Sequence, residues 1–457
     1  MTETDCSRKG IKGSNQSVCQ EGRSESVSQK EAEEAIRAYA KKQAREAVRE
    51  RIAETGRRSE DRENSTHRRG TGKWERRTGM RFMHLSDLHI GKRVNEFSML
   101  EDQRFILKQI LDLARQQQVD GVWIAGDIYD KTVPSGEAVQ LFDEFLTALA
   151  AMGISCFAIS GNHDSPERIS FGAKLVEQSG IYLSQVFRGE IAPVELKDEF
   201  GGLRIYLLPF LKPAHVRAVY PEEKIENCEH ALEIVLSRMK EHWDPNCRNV
   251  LLAHQFVEGA QRCDSEEFSV GGLDQVSADI FREFDYVALG HIHTPQWVGR
   301  ETVRYCGTPL KYSFSEVNVE KTVTIVELLE KGHLKIRELP LKPRKDMRKI
   351  RGSYLELTAL ETYQGTEVED YLQVTLTDEE DVPDALGKLR SIYPNIMKLE
   401  YDNQRTRKGQ AVEASAPEHK TPLELFEELY QIQNNQPMKE NQRKLASELM
   451  ETIWESQ

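Results

Sequence analysis

Five short polar segments constrain this chain more than any other feature, because each stands where an apolar run ends. They are Asp87-Leu88-His89, Gly126-Asp127-Ile128-Tyr129-Asp130, Gly161-Asn162-His163-Asp164, Ala253-His254-Gln255 and Gly290-His291-Ile292-His293. The runs before them, at 80–85, 122–125, 154–159, 250–253 and 286–289, have the length and apolar content of buried strands. In an open α/β sheet the carboxyl ends of the strands form the crevice where ligands bind. Five strands delivering Asp, Asn and His to one edge therefore gather those side chains around a common point.

Between the runs lie helical stripes. Leu100, Gln103, Leu107, Ile110, Leu111 and Ala114 make one; Val139, Phe142, Phe145, Leu146 and Leu149 make another, stopped near Gly153. Further strands are predicted at 203–208 and 322–328. This alternation marks a layered α/β domain over residues 80–341. A basic, proline-containing hinge, Leu341-Lys342-Pro343-Arg344-Lys345, closes it. Residues 349–402 read as a small β/α unit, with strands at 354–357, 371–376 and 396–401 and a helix near 382–391. A polar linker follows at 403–420. Thr421-Pro422-Leu423-Glu424 then supplies a cap, a first-position proline and the acid of a capping box. The helices expected at 421–434 and 438–456 are amphipathic through Leu425, Phe426, Leu429, Tyr430 and Ile432, and through Leu445, Leu449, Met450, Ile453 and Trp454. Two short helices have little core of their own, so they are expected to dock on the parent domain or on a partner.

Charge divides the 457 residues unevenly. Residues 1–79 hold 19 Lys+Arg against 14 Asp+Glu, whereas residues 80–457 carry a net charge of -18. The first segment is rich in Ser, Gly, Arg and Glu and reads as disordered, apart from a thin alanine-rich helical stripe at 31–54. Met80 opens the first strand, so residues 1–79 are expected to be either a disordered extension or the product of a mis-assigned start. The alternative is a basic tail that touches nucleic acid or a partner. No run approaches the ~18 apolar residues of a membrane span, and the N-terminus lacks the apolar core of a secretory signal. Seven cysteines without a C-x-x-C pair argue against a disulfide framework or a thiolate zinc site. A cytoplasmic, membrane-free protein is the expectation.

Asp87, His89, Asp127, Asn162, His254, His291 and His293 are seven metal-capable groups. If Asp127 bridges, they form two four-ligand shells, as a pair of ions ~3.5–4 Å apart requires. Oxygen and imidazole donors without sulfur suit Mn, Fe, Co or Zn. Two divalent ions set against two carboxylates and a hydroxide leave a net positive charge. That charge suits a phosphodiester and the extra negative charge of its transition state. Glycines before Asp127, Asn162 and His291 are expected to let the backbone turn sharply. His163, beside Asn162, need not coordinate and is assigned as the general acid that protonates the departing oxygen. A nearby carboxylate would orient it and favour its charged form, and Asp130 is the candidate. Lys92, Arg93, Lys131, Arg168 and Lys311 neighbour the motifs and are candidate phosphate contacts.

In this order, D-x-H, G-D-x-x-D, G-N-H-D, a lone His and G-H-x-H resemble the calcineurin-like metallophosphoesterases. The resemblance implies a two-sheet sandwich flanked by helices and a binuclear metal centre. Asp87, His89, Asp127 and His293 would hold one ion; Asp127, Asn162, His254 and His291 would hold the other; His163 and Asp130 would form the proton-donating dyad. Residues 80–92 and 307–316, with the order of core, small domain and terminal helices, are similar to the nuclease-subunit family of bacterial SbcC–SbcD complexes. That likeness covers residues 80–457. It implies a Mn-dependent 3′–5′ exonuclease on duplex ends and an endonuclease on hairpins and single strands, acting in DNA repair and recombination. It also implies that 349–402 is a capping domain and that 421–457 dock an SbcC-type coiled-coil ATPase. A homodimer of the nuclease cores would complete a heterotetramer.

The excess of negative charge over residues 80–457 argues against broad duplex binding by this chain alone. DNA would then be gripped only within the crevice, or chiefly by the ATPase partner. A small-molecule or phosphoprotein phosphoesterase is the rival enzyme, although it needs neither 349–402 nor the terminal helices. A non-catalytic scaffold is the other rival, and it would not need His163 or Asp130.

Overall fold

The computed structural model describes residues 79–266, 275–403, 422–434 and 437–455. The chain divides into Met1–Arg77 and Thr78–Gln457, and all described residues belong to the second unit. The helical stripe at 31–54, the linker from 404 onward and the Thr421 cap lie outside the described residues.

Two six-stranded sheets form the core. The first runs in the order Leu334–Pro340, Thr322–Leu328, Met80–Leu85, Gly121–Ala125, Ser155–Ile159, Ile181–Leu183. Its last four strands are parallel, and Thr322–Leu328 joins Met80–Leu85 antiparallel. The second runs Gln296–Val298, Arg300–Tyr305, Tyr286–Gly290, Arg248–His254, Gly201–Leu207, Val194–Asp198, parallel through its four central strands. Parallel strands covered on both faces need apolar residues at every position. Gly121-Val122-Trp123-Ile124-Ala125 shows this, with all five residues buried.

The sandwich interior follows from alternation along those strands. Phe82, Trp123, Phe157, Ile205, Leu252, Tyr286 and Ala288 point between the sheets, with Phe82 stacked on Trp123 at 4.5 Å. Their neighbours Met83, Val122, Ile124 and Cys156 face outward under the helices Leu100–Gln116 and Gly136–Ala151. Helix Cys228–Met239 covers the other sheet in the same way. Truncating a buried side chain as large as Trp123 to Ala would cost about 3–5 kcal/mol.

A three-stranded parallel sheet, Met347–Gly352, Tyr371–Leu376 and Ile396–Tyr401, follows the hinge with its own apolar cluster. The strand predicted at 354–357 is instead a helix, Tyr354–Thr358. Its alternating Tyr-Leu-Glu-Leu reads as extended, but Ser353 and Glu356 close a reciprocal capping box that starts a helix. The first strand of this sheet lies earlier, at Met347–Gly352, on an edge where Arg348, Lys349 and Arg351 are tolerated. Asp102 ties the small unit to the core: its buried carboxylate accepts from Tyr371 Oη at 2.7 Å and pairs with Arg344 at 3.1 Å. Helices Pro422–Asn434 and Glu440–Glu455 contact each other through an Arg443–Glu427 ion pair. No helix among the described residues is long and apolar enough to cross a membrane.

Candidate metal centre

All five motifs emerge at the carboxyl ends of parallel strands, three from the first sheet and two from the second. The backbone there is unusual. Asp87, His89, Asp127 and His291 have φ of 51°, 44°, 48° and 98°, a region that costs a non-glycine residue about 1–3 kcal/mol. Cross-loop bonds hold it. Asp87 N–H donates to the Gly126 carbonyl at 3.0 Å, and His89 N–H to the Asp127 carbonyl at 2.9 Å.

Asp164 latches two of these loops together. Its buried carboxylate accepts from the N–H groups of Ile128, Tyr129 and Gly161 at 3.0, 2.9 and 2.9 Å. Gln103 secures the first loop: its amide donates to the His89 carbonyl at 2.7 Å and accepts from Gly91 N–H at 2.9 Å. Tyr312 Oη donates to the Leu88 carbonyl at 2.7 Å. The glycines serve two different ends. Gly126 does turn the chain, at φ 91°. Gly161 and Gly290 instead allow close approach, since a Cβ would meet Asp127 Oδ1 at 2.1 Å and the Ala125 carbonyl oxygen at 1.9 Å.

The seven predicted donors come together. Asp87 groups with His89 and His293, and also with Asp127 and His254, all within 4.8 Å. Asn162 Oδ1 lies 2.9 Å from His254 Nε2 and 3.0 Å from His291 Nδ1. Asp127 Oδ2 stands 3.3 Å from His254 Nε2 and 3.8 Å from His89 Nε2, between the two predicted ligand sets. Its other oxygen, Oδ1, accepts from His163 N–H at 2.9 Å.

With His254 neutral, acceptors face acceptors around Asn162. His254 donates Nδ1–H to the Ala125 carbonyl at 2.8 Å, so in its neutral form Nε2 presents a lone pair to Asn162 Oδ1 and Asp127 Oδ2. His89 Nε2 and His293 Nε2 lie 3.2 Å apart. Burial holds the His89 and His293 imidazoles well below their usual value and His291 at about 3. Neutral imidazoles, each able to present the lone pair of one ring nitrogen, fit a divalent cation. Carboxylate behaviour adds to the fit. Burial raises Asp87 to about 7, with Asp127 adding to it. For Asp127 burial is overridden by His254 and His89, and it stays well below the carboxylate range. Conversely, Asp127 outweighs burial and raises His254 to about 9. Oxygen and imidazole donors of this kind suit Mn, Fe, Co or Zn.

His163 lies against the cluster, its ring 4.8 Å from that of His89. Asp130 reaches it differently from the expectation. His163 Nδ1 donates to the Asp130 backbone carbonyl at 2.9 Å, whereas the Asp130 carboxylate pairs with Lys92 at 2.7 Å and lies 3.7 Å from His89 Nδ1. Lys92 is therefore committed within the protein, as is Lys311, which bonds the Val317 carbonyl and Asp346. Lys131, Arg93 and Arg168 are exposed.

The calcineurin-like phosphoesterase family matches residues 80–295, which defines the class of the sandwich and its site. The Type 5 capsule protein repressor C-terminal domain family matches residues 343–434, from the hinge into the first terminal helix. The SbcD component of the SbcCD nuclease from Staphylococcus epidermidis is 34% identical over 322 residues, covering 70% of this chain and 85% of that protein. Its counterpart from Staphylococcus saprophyticus is 34% identical, covering 70% and 84%. A solved dimetal phosphatase from Danio rerio aligns over 58% of this chain and 98% of its own, at TM-score 0.37 and 11% identity. The chain belongs to the SbcD family of SbcCD nuclease components.

Proposed function

We propose that this chain is a metal-dependent DNA nuclease subunit that hydrolyses phosphodiester bonds. The observation that carries the reading is the convergence of six further oxygen and nitrogen ligand residues around Asp127, in a chain of a nuclease family. Asp87, His89, Asp127 and His293 would hold one divalent ion, and Asp127, Asn162, His254 and His291 a second. Ions so held would polarise the phosphoryl group and offset its developing charge; Mn²⁺ is the proposed pair.

The protein's own residues do the rest. His163 donates Nδ1–H to a carbonyl, so it is the imidazolium form that would hold a second proton, on Nε2, to give to the departing oxygen. Asp130 supports the dyad through that carbonyl, while its carboxylate is held by Lys92. The Asp127 bond to His163 N–H holds the proton donor beside the carboxylate that the two ions would share.

The finer reading is 3′–5′ exonuclease action on duplex ends and endonuclease action on hairpins and single strands, in repair and recombination. The partner is an SbcC-type coiled-coil ATPase in the cytoplasm, seated on the terminal helices. Phe426, Leu429, Leu445 and Leu449 of these helices are exposed, which supports a docking role. A homodimer of the nuclease subunit would complete a heterotetramer. The net charge of -18 over residues 80–457 leaves much of the DNA grip to the partner. Incubation with Mn²⁺ and an end-labelled blunt duplex, beside a phosphomonoester, tests the reading. Mononucleotide release without monoesterase activity is expected; hydrolysis of the monoester alone would move the chain to the phosphatases.

A further inference from the structure

His293 is gripped by residues outside the five motifs. Its N–H donates to Glu266 Oε1 at 2.8 Å. Its carbonyl accepts from Lys321 Nζ at 2.8 Å and Thr308 N–H at 3.1 Å. Its ring Nδ1 lies 2.7 Å from Ser265 Oγ, and that hydroxyl lies 2.9 Å from Glu316 Oε1. Glu316 is fully buried and pairs with Lys321, itself buried, at 2.5 Å.

The direction of this chain of bonds follows from the chemistry of its end. A carboxylate only accepts, so the single hydroxyl proton of Ser265 is donated to Glu316. Toward His293, Ser265 Oγ can then only accept, and Nδ1 must carry the proton. Nε2 is left with its lone pair, aimed at the space shared with His89 Nε2, 3.2 Å away. Burying an ion pair is costly unless good geometry and further hydrogen bonds repay it, and here the pair terminates a relay that ends on a predicted ligand.

We infer that Ser265, Glu316 and Lys321 form a relay that fixes the His293 tautomer and so presents Nε2 to a divalent cation. They are positioning residues, and the inference rests on the metal-centre reading above. Glu316 comes from the turn Phe314–Glu316, and Lys321 immediately precedes strand Thr322–Leu328. The first sheet thereby orients a ligand delivered by the second.

A separate cation site is the competing use of these groups, since Cys263, His293 and Glu316 also lie within 4.8 Å of one another. The bonding argues against it. Glu316 Oε1 already accepts from Ser265 and from Tyr312 N–H at 3.2 Å, and Oε2 from Lys321. Burial, with Glu316 nearby, pushes the Cys263 thiol up to about 12, so it offers no ready thiolate.

Calorimetric titration of the full chain with Mn²⁺ tests the relay without recourse to activity. Ser265→Ala leaves the Glu316–Lys321 pair in place and removes only the hydroxyl. One of the two sites is expected to weaken by about 10–100-fold while the other is unchanged. Ser265→Thr, which keeps the hydroxyl, is expected to restore it. Glu316→Gln has one acceptor oxygen for three donors and is expected to weaken the same site at least as much. Wild-type affinity at both sites in Ser265→Ala would overturn the relay, as would equal loss at both sites unrescued by Ser265→Thr. Failure of the underlying reading looks different: the wild type would bind no Mn²⁺, or Asp127→Ala would bind it as the wild type does.

Discussion

His254 donates its Nδ1–H to the backbone carbonyl of Ala125 at 2.8 Å, a bond between the two sheets that turns Nε2 toward Asn162 and Asp127. Gly290 makes the bond possible. A Cβ there would stand 1.9 Å from the Ala125 oxygen and 2.7 Å from His254 Nδ1. Gly290→Ala is therefore expected to push the two apart, costing about 1–3 kcal/mol of stability. Calorimetry should show weakened Mn²⁺ binding in parallel with a lowered unfolding midpoint.

His163 and Asp127 touch through one backbone bond, yet their substitutions should separate cleanly. His163→Ala is expected to retain both ions and lose about 10²–10⁴-fold in turnover, the usual worth of a positioned proton donor. Asp127→Ala should lose metal and turnover together. Paired metal analysis and single-turnover kinetics check this, and full nuclease activity in His163→Ala would remove His163 from the proton-donor role.

Asp164 carries no predicted ligand role but closes three backbone bonds across two loops. Asp164→Asn places an amide donor where three N–H groups require acceptors. Leaving one of them unsatisfied costs about 1–3 kcal/mol. Urea unfolding should show the loss, together with weaker metal binding as the Asp127 and Asn162 loops part.

The contrast between Asp164 and its neighbours shows what the sequence discloses. Asp87, Asp127, Asn162 and the motif histidines stand in contiguous strings at strand ends, so local pattern alone brought them to one edge. Asp164 lay within such a string, but its use, holding a loop 36 residues away, is visible only in space. Gln103 was legible as a polar residue inside an apolar stripe, although its partners were not. Ser265 and Lys321 each meet His293 across 28 residues and Glu316 meets Ser265 across 51, pairings that no periodicity encodes. The strand expected at 354–357 failed because the capping pair Ser353 and Glu356 outweighs a two-residue alternation. Asp130 was legible as a neighbour of His163, but the choice between carbonyl and carboxylate belongs to the loop geometry.

His84 gives the core an acid dependence of its own. It is fully buried between Tyr286 Oη at 3.1 Å and the Leu289 carbonyl at 3.2 Å, and burial lowers its pKa to about 3. The folded value is depressed, so as pH falls below ~6.5 the unfolded chain takes up the proton first. The stabilisation is complete above that pH and is lost progressively down to pH 3, about 4–5 kcal/mol in all. His84→Gln can donate to Leu289 and accept from Tyr286. It is expected to flatten the pH dependence of the urea midpoint across this window.

The most direct test of a two-ion DNA phosphodiesterase is mononucleotide release from an end-labelled duplex, measured against Mn²⁺ bound per chain with the proposed ATPase partner and ATP present. A two-ion site predicts that release appears as the second ion binds and vanishes in Asp127→Ala. Full release with a single ion bound, or no release with both sites filled, would contradict it.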